Sequence, residues 1–334
     1  MTTIPSITAQ IDEKTIFKII SKNFSKLAPS YYNLMSSWLI RAYKVYNDID
    51  KYIITIYLIN KDLIVFRKNG LIVDYDTFYK DRSIEIDKIN ISDISKDLEI
   101  PKESIRRKIL ELEKKGVIKK IGKKIFVNRS GLYTSQARDT LKEISYLLHE
   151  FNKLLNNEKL GEQTFKIEEI SSSIKNNFSF CWYHFYKFLF VFTNRWRKQV
   201  KDLETFCIGI LVMLNASQSK NFKEKNFNLK TYQKKIMGSD KRGMNAMSLS
   251  EITGIPRPTV VRKLKYLIDN DFLSINQKKL VTVNVQGKTL KRSSDTQEKN
   301  IQSLSNFIHR VFNQIKIINS NKSKVDEFIP SYLR

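Results

Sequence analysis

The chain has 334 residues, enough for two domains with a core each, and carries 59 Lys plus Arg against 34 Asp plus Glu, a net charge of +25. A field this positive favours a polyanionic partner, although a composition rich in Lys, Asn and Ile contributes to it. The two cysteines (Cys181, Cys207) and three histidines (His149, His184, His309) show no metal-ligand or nucleophile spacing, and ten glycines make no phosphate-cradling loop, so no enzymatic activity, metal or cofactor is expected.

From the N-terminus, residues 1–10 lack the basic-then-apolar pattern of a secretion signal, which with the two apolar thiols implies a reducing, cytoplasmic setting, nucleoid-associated given the charge. The pattern then predicts a long aromatic-rich helix over 25–47 and an apolar helix ending near Asn60. A polar insert follows over about 61–90. Within it Asn69-Gly70, flanked by β-branched runs, predicts a hairpin over 62–75.

Residues 91–116 divide into a short helix, a tight turn and a longer helix. Ile91, Ile94 and Leu98 repeat at helical spacing, Pro101 suits the first turn of a new helix, and Gly116 ends it. Ile105, Ile109 and Leu112 share the inward face, leaving Glu103, Arg106, Arg107 and Leu110 outward. Glu103 reads either as a first-turn partner of the helix dipole or as an acceptor for a cytosine amino group, and the former is favoured. Two short apolar strands over 117–127 then surround a basic tip, Gly122-Lys123-Lys124, and a helix over 134–156 closes the half.

The rest of the chain repeats this order. A shift of 155 places Tyr52–Asn60 on Cys207–Asn215, Ile100-Pro101 on Ile255-Pro256, Arg107-Lys108 on Arg262-Lys263, Leu112 on Leu267 and Lys123-Lys124 on Lys278-Lys279. The expected domains are therefore 1–160 and 161–334. In the second half a helix runs over 178–200. Its stretch 178–192 is too short and too charged, with His184 and Lys187, to span a bilayer. Trp182, Tyr186 and Phe190 on it belong either to the core, which such stripes more often do, or to the wall of a small-molecule effector pocket. The insert 216–245 is basic and reads as a loop or disordered arm, and the closing helix falls at about 296–319.

The second motif is Gly254-Ile255-Pro256-Arg257-Pro258-Thr259-Val260-Val261-Arg262-Lys263-Leu264. It resembles the recognition element of bacterial winged helix-turn-helix regulators, commonly Gly-Ile-Pro-(Arg/Lys)-Xaa-Thr-Val-Xaa-Arg-Xaa-Leu. The flanking long helices are similar to the dimerisation helices of the MarR group (multiple-antibiotic-resistance-type regulators), whereas the 30-residue inserts depart from that compact pattern. The resemblance implies a mainly α fold with small β-wings: two tandem winged helix-turn-helix domains forming an intrachain pseudo-dimer, either alone or as a homodimer. It further implies a sequence-specific double-stranded DNA-binding transcription regulator with two recognition helices (about 101–115 and 256–269) in successive major grooves.

The residues expected to meet DNA are Lys102, Ser104, Arg106 and Arg107 with wing residues Lys123 and Lys124 in the first half. Those of the second are Arg257, Thr259, Val261, Arg262 and Lys265 with wing residues Lys278 and Lys279. Two other readings remain at this point: a plasmid or phage replication initiator with two winged-helix domains, and a less specific nucleoid or RNA-binding protein.

Overall fold

A computed structural model of the chain describes residues 10–86, 88–129, 136–161, 163–217, 225–237, 243–284 and 288–325. The N-terminal segment up to residue 9, parts of the basic insert (218–224 and 238–242) and the tail after 325 lie outside the described residues. The protein is mainly helical with a small antiparallel sheet.

The first half opens with α1 (Glu13–Lys22), capped by the Asp12 carboxylate on the Thr15 amide, followed by α2 (Phe24–Tyr46) and α3 (Ile49–Lys68). After α4 (Tyr75–Lys80) and β1 (Ser83–Ile86) come two helices joined by a turn, α5 (Ile91–Leu98) and α6 (Lys102–Lys114). Strands β2 (Ile118–Ile121) and β3 (Lys124–Asn128) form a two-residue hairpin, with β1 on the other side of β3; Val127 lies opposite both Ile84 and Ile118. Helix α7 (Gln136–Asn157) closes the half.

The second half runs α8 (Ile167–Asn176), α9 (Phe178–Val200), α10 (Leu203–Ser217), α11 (Leu229–Met237), α12 (Ala246–Thr253) and α13 (Arg257–Asp269). It ends in the antiparallel pair β4 (Leu273–Ile275) and β5 (Val281–Val283) and a long helix α14 (Lys288–Val325). Where the first half has β1, the second has a single bridge, Met244 to Val281. Among the described residues no helix is long and apolar enough to cross a membrane.

Three expectations need correction. The Asn69-Gly70 hairpin does not exist. Helix α3 continues to Lys68, and Gly70, at φ +66°, ends it: the Gly70 amide donates to the Arg67 carbonyl and the Leu71 amide to that of Phe66. A two-residue hairpin turn needs positive φ at its first loop residue, and Asn69 stands at −96°. Secondly, the basic insert of the second half is not wholly irregular, because it contains α11, whose Leu229 and Tyr232 are buried.

Thirdly, the repeat does not keep one shift. Helix starts in the front of each half differ by 154 residues (Glu13 and Ile167, Phe24 and Phe178, Ile49 and Leu203, Tyr75 and Leu229), whereas from α5 and α12 onward they differ by 155 (Ile91 and Ala246, Lys102 and Arg257). Tyr52 therefore corresponds to Phe206 rather than Cys207, and one residue is added between α11 and α12.

The core is continuous across both halves. Each long aromatic helix packs on the closing helix of its own half, α2 on α7 and α9 on α14, and also on the third helix of the opposite half, α2 on α10 and α9 on α3. The stripe read as core or pocket wall is buried at Trp182 and Tyr186.

Polar contacts across the halves recur in pairs. The Ser25 hydroxyl accepts the Phe227 amide at 2.7 Å while the Ser25 amide donates to the Phe227 carbonyl; Ser179 and Val73, each 154 residues away from these partners, make the same two bonds. Asn313 accepts the Ile11 amide at 3.0 Å, and Asn152 accepts the Phe165 amide at 2.7 Å. His309 and His149 each place Nδ1 within 3 Å of the carbonyl of that same residue, Ile11 and Phe165 respectively. Cys181 and Cys207 are free and buried, and burial pushes the Cys181 thiol up to about 12, which leaves it unreactive.

Candidate nucleic-acid interface

The two helix-turn-helix segments are built by the same contacts. Asn90 caps α5 through the amides of Ser92 and Asp93, and Asn245 caps α12 through that of Ser248. The turn that follows requires a left-handed residue, supplied by Glu99 (φ 53°) in the first half and Gly254 (φ 75°) in the second. A serine hydroxyl then spans each turn: Ser95 donates to the Ile100 carbonyl at 2.6 Å and Ser250 to the Ile255 carbonyl at 2.7 Å. Pro101 and Pro256 stand as the cap residues, just before α6 and α13.

One face of α6 is sealed by Ile105, Ile109 and Leu112, and one face of α13 by Val260, Leu264 and Leu267, all buried. A lysine on each helix fixes its rotation. Lys108 ion-pairs with Asp48, the residue that caps α3, and Lys263 lies 2.7 Å from Asp202, which caps α10 through Thr205. These lysines, although basic and on the two helices of interest, face inward. Burial alone would raise the Asp202 carboxyl, but the Lys263 and Thr205 bonds outweigh it and hold the group below its ordinary range.

On the opposite side the expected residues are exposed: Lys102, Arg106 and Arg107 on α6, and Arg257, Val261, Arg262 and Lys265 on α13, with Ser104 and Thr259 half-buried. The hairpin tips add Lys123 and Lys124 in the first half and Lys278 and Lys279 in the second, again exposed. Gly122 (φ +58°) makes the tight first tip, and the Asn276 side chain holds the second by accepting the amides of Lys278 and Leu280 at 3.0 Å. Each hairpin also exposes an isoleucine, Ile121 and Ile275.

The two exposed faces differ in how their cations are engaged. Arg106 pairs with Glu103, Arg107 approaches Glu111 at 3.9 Å, and Lys124 pairs with Glu85 at 3.0 Å. On α13, Arg257, Arg262 and Lys265 have no ion pair among the described residues. The cations of the second face thus stand without an acid partner among the described residues, whereas Arg106, Arg107 and Lys124 of the first are partly engaged.

The first turn is moreover clamped from the opposite half by α9. Asn194 donates to the Asp97 carbonyl at 2.7 Å, Arg197 to the Leu98 carbonyl at 2.7 Å and to Asp50 at 2.8 Å, and Lys198 pairs with Glu99. The second turn meets the stem of Lys44 from α2, which lies 3.8 Å from where a β-carbon on Gly254 would stand.

The sequence reading did not single out Ser95 and Ser250, Asn90 and Asn245, or the inward role of Lys108 and Lys263. The signal was present, since each pair is separated by the same 155 residues as the aligned Ile-Pro steps. Among the described residues no cluster of three or more His, Cys, Asp or Glu could hold a metal. No protein family, no curated protein and no solved structure matches this chain.

Proposed function

We propose that this protein is a sequence-specific double-stranded DNA-binding protein, a transcription regulator, built as two tandem winged helix-turn-helix modules joined into an intrachain pseudo-dimer. In this reading α6 and α13 are the recognition helices and the β2–β3 and β4–β5 hairpins the wings. The observation that carries it is the doubled construction: two short-helix, turn, long-helix units with the same serine bridge and inward lysine, each exposing arginines beside a lysine-tipped hairpin. Groove recognition needs a helix with one buried side and a polar, basic side free to reach base edges, and phosphate contacts from flanking loops.

The reciprocal contacts support the pseudo-dimer. In a two-fold interface, if one residue meets a second, the mate of the second meets the mate of the first. Ser25 with Phe227 and Ser179 with Val73 satisfy that relation, as do Phe24 with Tyr232 (ring centroids 5.0 Å) and Phe178 with Phe78 (5.2 Å). Such an arrangement would present two recognition helices together, and binding to successive major grooves requires them to be about 34 Å apart.

The test is selection from random duplexes with the full chain, then titration of the selected duplex at several salt concentrations. The expected result is a composite site of two unlike half-sites, with Arg107→Ala and Arg262→Ala each weakening binding by about 5- to 150-fold, the 1–3 kcal/mol of one bidentate guanine contact. Enrichment of no sequence, or unchanged affinity in both variants, overturns it.

A further inference from the structure

The second half contains a cavity of about 160 Å3 between the helical scaffold and the α13/β4–β5 unit, with Tyr32, Trp196, Phe206, Tyr232, Phe272 and Asn284 in its wall. Its size is close to cavities of about 150 Å3 that take one aromatic ring. In a chain of net charge +25, no lysine or arginine among the described residues lines it, and Asp271 is the one charged lining residue among them.

The same place in the first half is filled by the protein itself. The shifts that relate the halves carry Tyr32 to Tyr186, Tyr232 to Phe78, Gln233 to Tyr79 and Asn284 to Arg129. Arg129 is 3 % exposed. Its guanidinium lies 4.6 Å from the centre of the Phe78 ring and 5.6 Å from that of Tyr79, and it donates to the Asp81 carbonyl at 2.6 Å. Asn284 is too short to reach as far, so the counterpart space stays open, with Tyr232 in place of the Phe78 ring and Gln233 in place of Tyr79. Trp196, which has Ala42 as its counterpart, adds an aromatic ring to the wall.

We propose that this cavity is a binding site for a small planar cation, a guanidinium or amidinium borne on a flat apolar group, which takes in the second half the position Arg129 takes in the first. Aromatic faces attract a desolvated cation through their quadrupole. Asp271 supplies the countercharge. It replaces Asp62 and Asp81 of the first half, whose counterparts are Ala216 and Lys235. Among the described residues, anions of the same shape find a carboxylate and no cation.

The wall joins Leu267 of α13 and Leu273 of β4 to Gln297 of α14, so an occupant ties the helix-turn-helix unit to the scaffold. Any effect on DNA rests on the function proposed above, whereas the binding itself is measured without DNA, and the two failures are therefore distinguishable.

The experiment titrates the full chain with benzamidine, with benzoate as the isosteric anion, followed by calorimetry and by tryptophan fluorescence. Saturable benzamidine binding at least tenfold tighter than benzoate is expected. Asn284→Arg, which supplies the guanidinium in place, abolishes it. Gly209→Val is a second filling variant, because a β-carbon there meets only Leu267 at an ordinary 3.7 Å; it weakens benzamidine binding at least tenfold. No saturable benzamidine binding, benzoate binding as tight, or full benzamidine affinity in the folded filling variants overturns the proposal.

Discussion

Glu99 holds in the first half the left-handed turn position that Gly254 holds in the second, at φ 53° and 75°. A side chain in that conformation costs roughly 1–2 kcal/mol, and in the first half the Lys198 ion pair at 2.8 Å, with the α9 bonds to Asp97 and Leu98, holds the strained turn in place.

Opposite signs follow for two exchanges. Gly254→Ala destabilises by about 1 kcal/mol from its backbone alone, since the added carbon makes only ordinary contact with Lys44. Glu99→Gly relieves strain but gives up an exposed ion pair worth about 0–1 kcal/mol, so its net change lies between zero and about 2 kcal/mol of stabilisation. Urea denaturation of the two variants measures both, and a loss of stability in Glu99→Gly as large as that in Gly254→Ala contradicts the account.

The Lys263–Asp202 pair is set to unlock α13 in acid. The folded-state pKa of Asp202 lies below its ordinary 3.8, so its ionisation stabilises the fold fully above that value and the contribution is lost as pH falls through the lowered one. Lys263→Met destabilises by about 2 kcal/mol at pH 7, less than the 3–5 of a fully buried pair because Asp202 keeps its Thr205 bonds. Melting temperatures at pH 7 and pH 3 check it: the difference between Lys263→Met and the parent chain shrinks at the lower pH.

Asp62 carries the opposite sign. Burial raises its carboxyl to about 6, against the lowering influence of Arg129. The folded state therefore holds the proton more tightly than the unfolded one, and stability falls as pH rises from about 4 through 6. Asp62→Asn removes that slope. Relative to the parent chain its melting temperature is higher at pH 7 than the same comparison gives at pH 4, and carboxyl NMR of the parent chain finds Asp62 titrating near 6.

The helix-turn-helix segments were legible in the sequence because two strong local signals coincide there: isoleucine and leucine at helical spacing, and a proline that ends one helix and admits the next. The misread hairpin has a local cause too. Asn-Gly serves wherever the chain needs positive φ, and nothing within 62–75 distinguishes a strand turn from a helix end until Leu63 is buried in the core. The shift of 155 was fixed on the Ile-Pro and Arg-Lys steps, and the front helices, apolar almost all round, tolerate an error of one residue without losing their pattern. The reciprocal serine contacts were not legible. A serine near the start of a helix has no periodicity, and Ser25 and Phe227 are two hundred residues apart in sequence.

The serine bridges of the two turns are expected to matter equally for folding. Ser95→Ala and Ser250→Ala each leave an isoleucine carbonyl without the hydroxyl at 2.6–2.7 Å, a loss of about 1 kcal/mol apiece. The first turn retains its α9 clamp, whereas Gly254 is met by an aliphatic stem, so hydrogen exchange around α12 and α13 accelerates more in Ser250→Ala than exchange around α5 and α6 does in Ser95→Ala. Equal acceleration in the two halves refutes the clamp as the difference between them.

The unequal engagement of the arginines predicts unequal roles on DNA under the proposed function. Arg107 must loosen from Glu111, and Arg106 from Glu103, before either reaches a base or phosphate, while Arg262 and Arg257 approach without an acid to displace. Arg262→Ala therefore costs more affinity than Arg107→Ala on the same selected duplex, and Glu103→Gln tightens binding by freeing Arg106 and removing a like charge from the phosphates. The wing lysines act differently, through counterion release alone: Lys278→Ala with Lys279→Ala lowers the slope of log affinity against log salt by about 1–2 without changing which sequence is selected. Titrations at 50, 100 and 200 mM salt separate the two behaviours. A change of preferred sequence on removing the wing lysines, or a larger loss from Arg107→Ala than from Arg262→Ala, assigns base reading to other residues than those on the exposed face of α13.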